Sequence, residues 1–393
     1  MSRVKIINGK IITPFRMLAE GVICIENGKI CEVSEQPVDF PDAEVIDAEG
    51  RYVSPGFIDL HTHGAGNCDF MDGSVEGFLK IAETHARYGT TGLYPTTLAS
   101  TNEELYKTFE NYRQAKARNT QGAAFLGFHL EGPYFAMSQK GAQDAKYIRN
   151  PHPDEYMKIL ASTDDIVRWS AAPELEGSKA FGETLLARGI LPAIAHSDAI
   201  YEEVRAAFDW GFTHVTHLYS ATSGVCRRNL YRYAGIIESA YLIDSMTVEI
   251  IADGVHLPAS LLKLIYKIKG PDKIALITDS MRAAGMPDGK SILGSLANGQ
   301  EVVVEDGVAK MPDRTCFAGS VATADRLVRT MLRLAEVPLP EAIQMITATP
   351  ARIMGIDKTK GTLTKGKDAD IVIFDHDINI KMTMVEGRVV VVS

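Results

Sequence analysis

Residues 55–64 read Pro55-Gly-Phe-Ile-Asp-Leu-His-Thr-His-Gly64, a short apolar run that stops at two histidines one residue apart. In an extended strand, residues i and i+2 share a face, so His61 and His63 aim together at one small volume. A turn carrying two partly exposed histidines is the other reading of this stretch taken alone. The choice between them depends on whether other segments of the chain end in the same way.

Seven further apolar strand candidates follow: GLYPTT (92–97), AFLGFHLE (124–131), VRWSAAPE (167–174), PAIAHSD (192–198), THVTHLY (213–219), TVEIIADG (247–254) and KIALITDS (273–280). Helical patterns such as SVEGFLKIAETHARYG and AIYEEVRAAFDWG separate many of them. Eight strands alternating with helices predict the α/β class, as a (β/α)8 TIM-type barrel. An open doubly wound sheet is the structural alternative, but no GxGxxG fingerprint follows the first strand.

The two ends of the chain have a different texture. VKIINGKIIT, GVICIENGKICEVS and AEVIDAEGRYVS read as short strands, with Asn8-Gly9, Asn27-Gly28 and Glu49-Gly50 at hairpin-turn positions. DADIVIFD and KMTMVEGRVVVVS repeat that pattern near the C-terminus, with Glu386-Gly387 between strands. Residues 1–53 and 356–393 are therefore expected to build one small β domain beside a barrel of residues 54–355.

At 393 residues, the chain has room for both units. A net charge of −9 gives no basic footprint for nucleic acid. No apolar run reaches membrane-spanning length, and the N-terminus lacks the apolar core of a signal peptide. The five cysteines (24, 31, 68, 226, 316) form no CxxC pair and read as reduced thiols in a cytoplasmic protein.

Chemistry in such a barrel sits at the C-terminal strand ends. There the first strand carries His61 and His63, the third Glu131 after His129, and the fifth His196. The sixth carries His214 and His217, the seventh Asp253 with His256 beyond, and the eighth Asp279. Imidazole and carboxylate together suit a borderline divalent ion, with Zn²⁺ first and Fe²⁺ or Co²⁺ also accepted. His61, His63, Glu131, His196 and His217 are the expected ligands of one or two ions, Glu131 bridging if there are two. His214, three residues from His217 and hence on the opposite strand face, is expected to be structural, and His129 is left without a role. Asp279 ends an apolar run either as a helix N-cap or as a proton acceptor; Gly285, Pro287 and Gly289 favour a loop after it, and so the second reading.

PGFIDLHTHG, HLEGP, His196, THL and the closing TDS resemble the amidohydrolase superfamily of metal-dependent hydrolases. HLEGPYF with QKGAQ after it, THLYSA, IIADGVH, ITDSMRAAGMPDG, FAGSVATADR and GTLTKGKDADIVIFD resemble, over essentially the whole chain, the N-acetylglucosamine-6-phosphate deacetylase family within it. The resemblance implies a small β-sandwich built from both chain ends, a homodimer, and removal of acetate from an amino-sugar 6-phosphate. It implies Glu131, His196 and His217 as ligands of one metal, His61 and His63 as ligands of a second, and Asp279 as general base and then acid. Substrate contacts would fall at Ala142, Ser220, Ala221, Asp253, His256, Phe317, Ala318, Gly319 and Ser320.

Three departures touch the substrate side only. Gln143 stands where the family has a histidine that polarises the acetyl carbonyl; it donates a hydrogen bond but carries no charge. Ser220 stands in place of an asparagine. The family's phosphate-binding arginine, often given by the neighbouring subunit, falls in a stretch that matches the family poorly here, with Arg228 first and Arg227 second as its counterpart. The changes at Gln143 and Ser220 keep in view the same deacylation on an unphosphorylated or isomeric N-acyl sugar. A non-catalytic binding scaffold is the reading from another class, and retention of every expected ligand and of Asp279 argues against it.

Overall fold

Every one of the eight apolar runs becomes a strand of one parallel barrel. The computed structural model describes residues 2–14 and 16–393. The barrel strands are β1 (Phe57–Thr62), β2 (Thr90–Thr97), β3 (Phe128–Glu131), β4 (Ile166–Ala171), β5 (Leu191–Ile194), β6 (His214–Val215), β7 (Thr247–Ile251) and β8 (Ile274–Ile277). They pair in chain order from β1 to β8, and a short strand, Ala124–Phe125, adds to β2. Gly127 at φ +129° interrupts the third run, so β3 starts only at Phe128.

The seam between β1 and β8 is closed by a few specific bonds. Asp279 N–H donates to His61 O at 2.9 Å, and His63 N–H to Ser280 O at 2.8 Å. Deeper in, the buried Asp59 carboxylate accepts from Thr278 Oγ1 at 2.5 Å, from Thr278 N at 3.2 Å and from His61 N at 3.3 Å. One side chain thus satisfies backbone donors on both sides of the seam.

The helices around the barrel follow their sequence signals. Ser74 accepts from Gly77 N and caps the helix Val75–Ala86, whose Phe78, Ile81, Ala82 and His85 are buried. That spacing is the i, i+3, i+4, i+7 stripe of a core-facing helix. Tyr112, on the next helix (Asn102–Arg118), packs with Phe78, Phe125 and Phe128 in an aromatic layer between helices and sheet. No described helix is long and apolar enough to cross a membrane.

Both chain ends enter one eight-stranded sheet. Along it lie Arg388–Val392, Ile380–Val385, Ile371–Phe374, Tyr52–Pro55, Arg3–Ile12, Met17–Glu26 and Lys29–Ser34, with Glu44–Asp47 also paired to Arg3–Ile12. Asn27-Gly28 and Glu386-Gly387 turn hairpins with both residues at positive φ. Asn8-Gly9 departs from expectation and lies inside the strand Arg3–Ile12, at a break in its register. A Cβ on Gly9 would stand 2.4 Å from Val53 Cγ2, so that glycine serves a close packing contact and not a turn. Glu49-Gly50 does turn the chain, but both flanking strands run parallel to Arg3–Ile12 instead of pairing with each other.

After β8 the chain makes the expected loop and then a second small sheet that the sequence did not announce. Its strands are Gly289–Leu293, Gln300–Glu305, Val308–Lys310 and Phe317–Ser320, all antiparallel. It packs around Met281, Leu293, Val302, Val304, Ala309 and Ala318, and it overhangs the C-terminal mouth of the barrel.

Candidate metal centre at the barrel mouth

Six side chains from five strand ends meet in one buried volume. His61 and His63 close β1, and Glu131 closes β3. His196, His217 and Asp279 each lie two residues past a strand, on β5, β6 and β8. These last three hold φ of +47°, +29° and +45°, a left-handed conformation that a non-glycine residue seldom adopts and that often accompanies functional sites.

The six fall into two groups of potential ligands: His61, His63 and Asp279, and Glu131, His196 and His217. In the first, His61 Nε2 and His63 Nε2 are 3.3 Å apart, and Asp279 Oδ1 lies 3.4 and 3.2 Å from them. In the second, Glu131 Oε1 lies 3.3 Å from His196 Nε2 and 2.9 Å from His217 Nε2. Glu131 also spans the groups, with Oε1 3.6 Å from His61 Nε2 and Oε2 3.5 Å from His63 Nε2.

The donor set fits divalent metal ions. His63 Nδ1 lies 3.2 Å from Thr96 O, His196 Nδ1 2.8 Å from Gln139 O, and His217 Nδ1 3.1 Å from Ser220 O. A backbone carbonyl only accepts, so Nδ1 of each ring carries a proton and Nε2 is the nitrogen turned inward, the one whose lone pair a ligating histidine gives to the metal. His61 has no such carbonyl. Its buried Nδ1 is without a hydrogen-bond partner among the described residues.

The charges of these side chains compensate one another. Burial by itself would lower the His63 imidazole, but the Asp279 and Glu131 carboxylates outweigh it and lift it to about 9. Burial would raise Glu131, yet His61, His196 and His217 hold it well below the usual carboxylate range. Asp279 behaves likewise: burial opposes its ionisation, and His61, His63 and His217 prevail. A group of carboxylates that draws protons onto its imidazoles is one that a divalent ion can enter by displacing them.

A cavity of about 640 Å³ opens above these groups. Of the substrate-side residues expected from sequence, Ala142, Gln143, Ser220, Ala221, His256, Phe317 and Gly319 line it. Gln143 is aimed by two bonds: Oε1 accepts from Ala99 N at 2.9 Å, and Nε2 donates to Glu131 Oε2 at 2.8 Å. Asp253 stands behind His256, with Oδ2 2.8 Å from its Nδ1. Ala318 and Ser320 are buried outside the lining, the Ser320 hydroxyl donating to Thr278 O. Arg228 lies on an exposed hairpin, Cys226–Arg228 with Tyr231–Tyr233, and does not line the cavity of its own chain.

Sequence reasoning missed the wall formed by Glu305, Lys310, Arg314 and Thr315, which comes from the sheet after β8. It also passed over Arg168 and Glu249, although a charge in the middle of an apolar strand was a visible signal. His214 is indeed no part of the Nε2 cluster. Because β6 ends at Val215, however, the reason is the left-handed turn at His217 and not strand alternation.

Comparison with known proteins bears on the family and the fold. The amidohydrolase family pattern matches residues 52–390. An N-acetylglucosamine-6-phosphate deacetylase from Lysinibacillus sphaericus is 32% identical over 93% of this chain and 92% of its own. An N-acetylgalactosamine-6-phosphate deacetylase from Escherichia coli O157:H7 is 31% identical over 96% of this chain and 97% of its own. The crystal structure of N-acetylglucosamine-6-phosphate deacetylase from Pasteurella multocida superposes with a TM-score of 0.91 at 27% identity, covering 98% of this chain and 99% of that one.

Proposed function

The chain belongs to the amidohydrolase family, and on that premise we propose that it hydrolyses the acetamide of an N-acetylated amino-sugar 6-phosphate. The observation that carries this reading is the convergence of four imidazole Nε2 atoms and two carboxylates beneath a sugar-sized cavity. His61, His63, Glu131, His196 and His217 would hold one or two divalent ions, Zn²⁺ first among them. Such ions, when bound, polarise the amide carbonyl and make water a stronger acid.

The chain's own groups supply the rest. Asp279, an ionised carboxylate at the cavity floor, takes a proton from the attacking water and passes it to the amine nitrogen as the C–N bond breaks. Gln143 is held with its amide N–H₂ towards Glu131, and its second hydrogen is free to meet charge developing on the carbonyl oxygen. His256, backed by Asp253, and the stretch from Ser220 to Ala221 face the sugar.

A specific observation favours keeping the sugar's configuration open: relatives named for the gluco and the galacto substrates are 32% and 31% identical to this chain. The exposed hairpin gives Arg228 a use if the protein is a homodimer. Val225, Leu230 and Tyr231 beside it are 61%, 84% and 73% exposed, an apolar patch suited to burial on a second copy. Arg228 would then meet the phosphate in the partner's cavity. The five free cysteines accord with a reducing, cytoplasmic setting.

The test is a panel of N-acetylglucosamine and N-acetylgalactosamine, each with and without the 6-phosphate, run with metal content measured on the same sample. Acetate release from a 6-phosphate with one or two metal equivalents is the expected result. Activity confined to the unphosphorylated sugars would refute the substrate assignment, and a metal-free, inactive protein would restore the scaffold reading.

A further inference from the structure

Below the imidazoles, two charged side chains cross a barrel interior that is ordinarily packed with branched apolar residues. Arg168 on β4 and Glu249 on β7 are both fully buried. Arg168 grips the carboxylate with both terminal nitrogens: Nη2 donates to Oε2 at 2.8 Å, and Nη1 makes a closer contact with Oε1. Arg168 Nη2 also donates to Thr216 Oγ1 at 2.7 Å, and Thr216 is in turn bonded to Ser170 at 2.9 Å. The pair is therefore fixed to β4 and β6 and has little freedom to turn.

Glu249 has a second side, which faces the metal centre. Its Oε2 lies 3.6 Å from His61 Nδ1, and its Oε1 3.5 Å from His214 Nε2. His61 Nδ1 is the buried, unpartnered nitrogen noted above. Three of the four inward-facing imidazoles thus rest on neutral backbone carbonyls, and His61 alone faces a carboxylate. A slight rotation of the His61 ring brings that N–H to a charge-assisted hydrogen bond of about 2.8 Å.

Stability does not account for such a pair. Replacing a buried ion pair with apolar groups of similar volume is often neutral or stabilising. The two charges are better explained by what Glu249 faces, with Arg168 keeping the carboxylate ionised so that it accepts a proton bond and does not donate one.

We propose that Glu249, held by Arg168, is the positioning residue for the His61/His63/Asp279 half of the centre. It accepts the Nδ1–H of His61, fixes the tautomer that leaves Nε2 free, and supplies negative charge that favours a second cation there. The inference rests on the reading of the site as a divalent-metal centre and deepens it: occupancy of the second position is controlled from inside the barrel.

The experiment measures metal binding and not turnover. Metal-stripped wild-type protein is titrated with Zn²⁺ against a chromogenic chelator, beside the paired variant Arg168→Met/Glu249→Leu and the single variant Glu249→Gln. Wild type should take two equivalents. The paired variant should keep the tighter one unchanged and bind the weaker one about 10- to 100-fold less well. In a His61→Asn background, which already loses that equivalent, the paired change should add nothing. Glu249→Gln, which retains an acceptor oxygen, keeps the test alive if the paired variant fails to fold, and it should show a smaller loss at the same equivalent. Unchanged affinity for both ions, or equal weakening of both, overturns the inference while leaving the metal centre intact. A wild-type stoichiometry of one overturns the two-ion reading and this inference with it.

Discussion

In the proposed reaction Asp279 is the residue on which the chemistry turns, because the carboxylate assigned the proton transfers also lies 3.4 and 3.2 Å from the Nε2 atoms of His61 and His63. Replacing it with asparagine keeps the shape and removes the proton acceptor. Asp279→Asn should lower kcat by about 10³-fold or more, with the Glu131/His196/His217 ion still present by elemental analysis. Gln143 makes a subtler contribution. Gln143→Ala removes a pre-aimed donor and should cost about 10²-fold in kcat, with KM changed only a few-fold. A comparable loss in KM alone would show that Gln143 binds substrate equally in ground and transition states. The side chains that meet at the barrel mouth were the most legible part of the sequence, since histidines and carboxylates recur at the ends of the first, third, fifth, sixth and eighth strands. Their backbone conformation was not legible: nothing local in THLYSA or ITDS marks His217 or Asp279 as left-handed, because the surrounding strands impose it.

At the level of elements, the alternation of apolar strands and amphipathic helices could be read directly, and the barrel follows from it. The sheet after β8 escaped notice because its strands are short and interrupted by Gly294, Gly299 and Gly307, which read as a long loop. What joins the elements was equally hidden. His85, on the helix Val75–Ala86, reaches the β1–β8 seam, with Nε2 3.0 Å from Thr62 Oγ1 and 3.4 Å from Ser280 Oγ. Burial pushes its imidazole down to about 4. An unfolded histidine titrates near 6.5, so the unfolded chain binds the extra proton first. Stability from this residue is complete above about pH 6.5 and is lost progressively as pH falls towards 4, on the order of 3 kcal/mol in all. Urea unfolding of wild type and His85→Gln between pH 7 and pH 4.5 should show the variant losing less stability over that range. Parallel pH profiles would remove His85 from the account.

For the molecule as a whole, the prediction concerns two copies. If Arg228 serves the partner's cavity, then Arg228→Ala and Asp279→Asn proteins, each nearly inactive on a 6-phosphate, should recover activity when mixed and allowed to exchange subunits. A mixed dimer has one cavity with an intact Asp279 and an intact Arg228 facing it. No recovery, in a sample shown by sedimentation to have exchanged, would place the phosphate contact within one chain. The assembly level was the least legible in the sequence: Arg227 and Arg228 stand side by side in a stretch without periodicity, and only the hairpin shows that both are exposed.

The sheet shared by the two chain ends also sets a timetable. Tyr52–Pro55 pairs with Ile371–Phe374, made roughly 300 residues later. At 5–20 residues per second, the early strands wait on the order of 15–60 s for their neighbours. Throughout that interval the apolar faces of Ile6, Ile23, Ile25 and Val53 lack the Ile371, Ile373 and Met384 against which they finally pack. A nascent chain of this design therefore carries an unfinished sheet edge through most of its translation, and slowing the ribosome should lower its soluble yield.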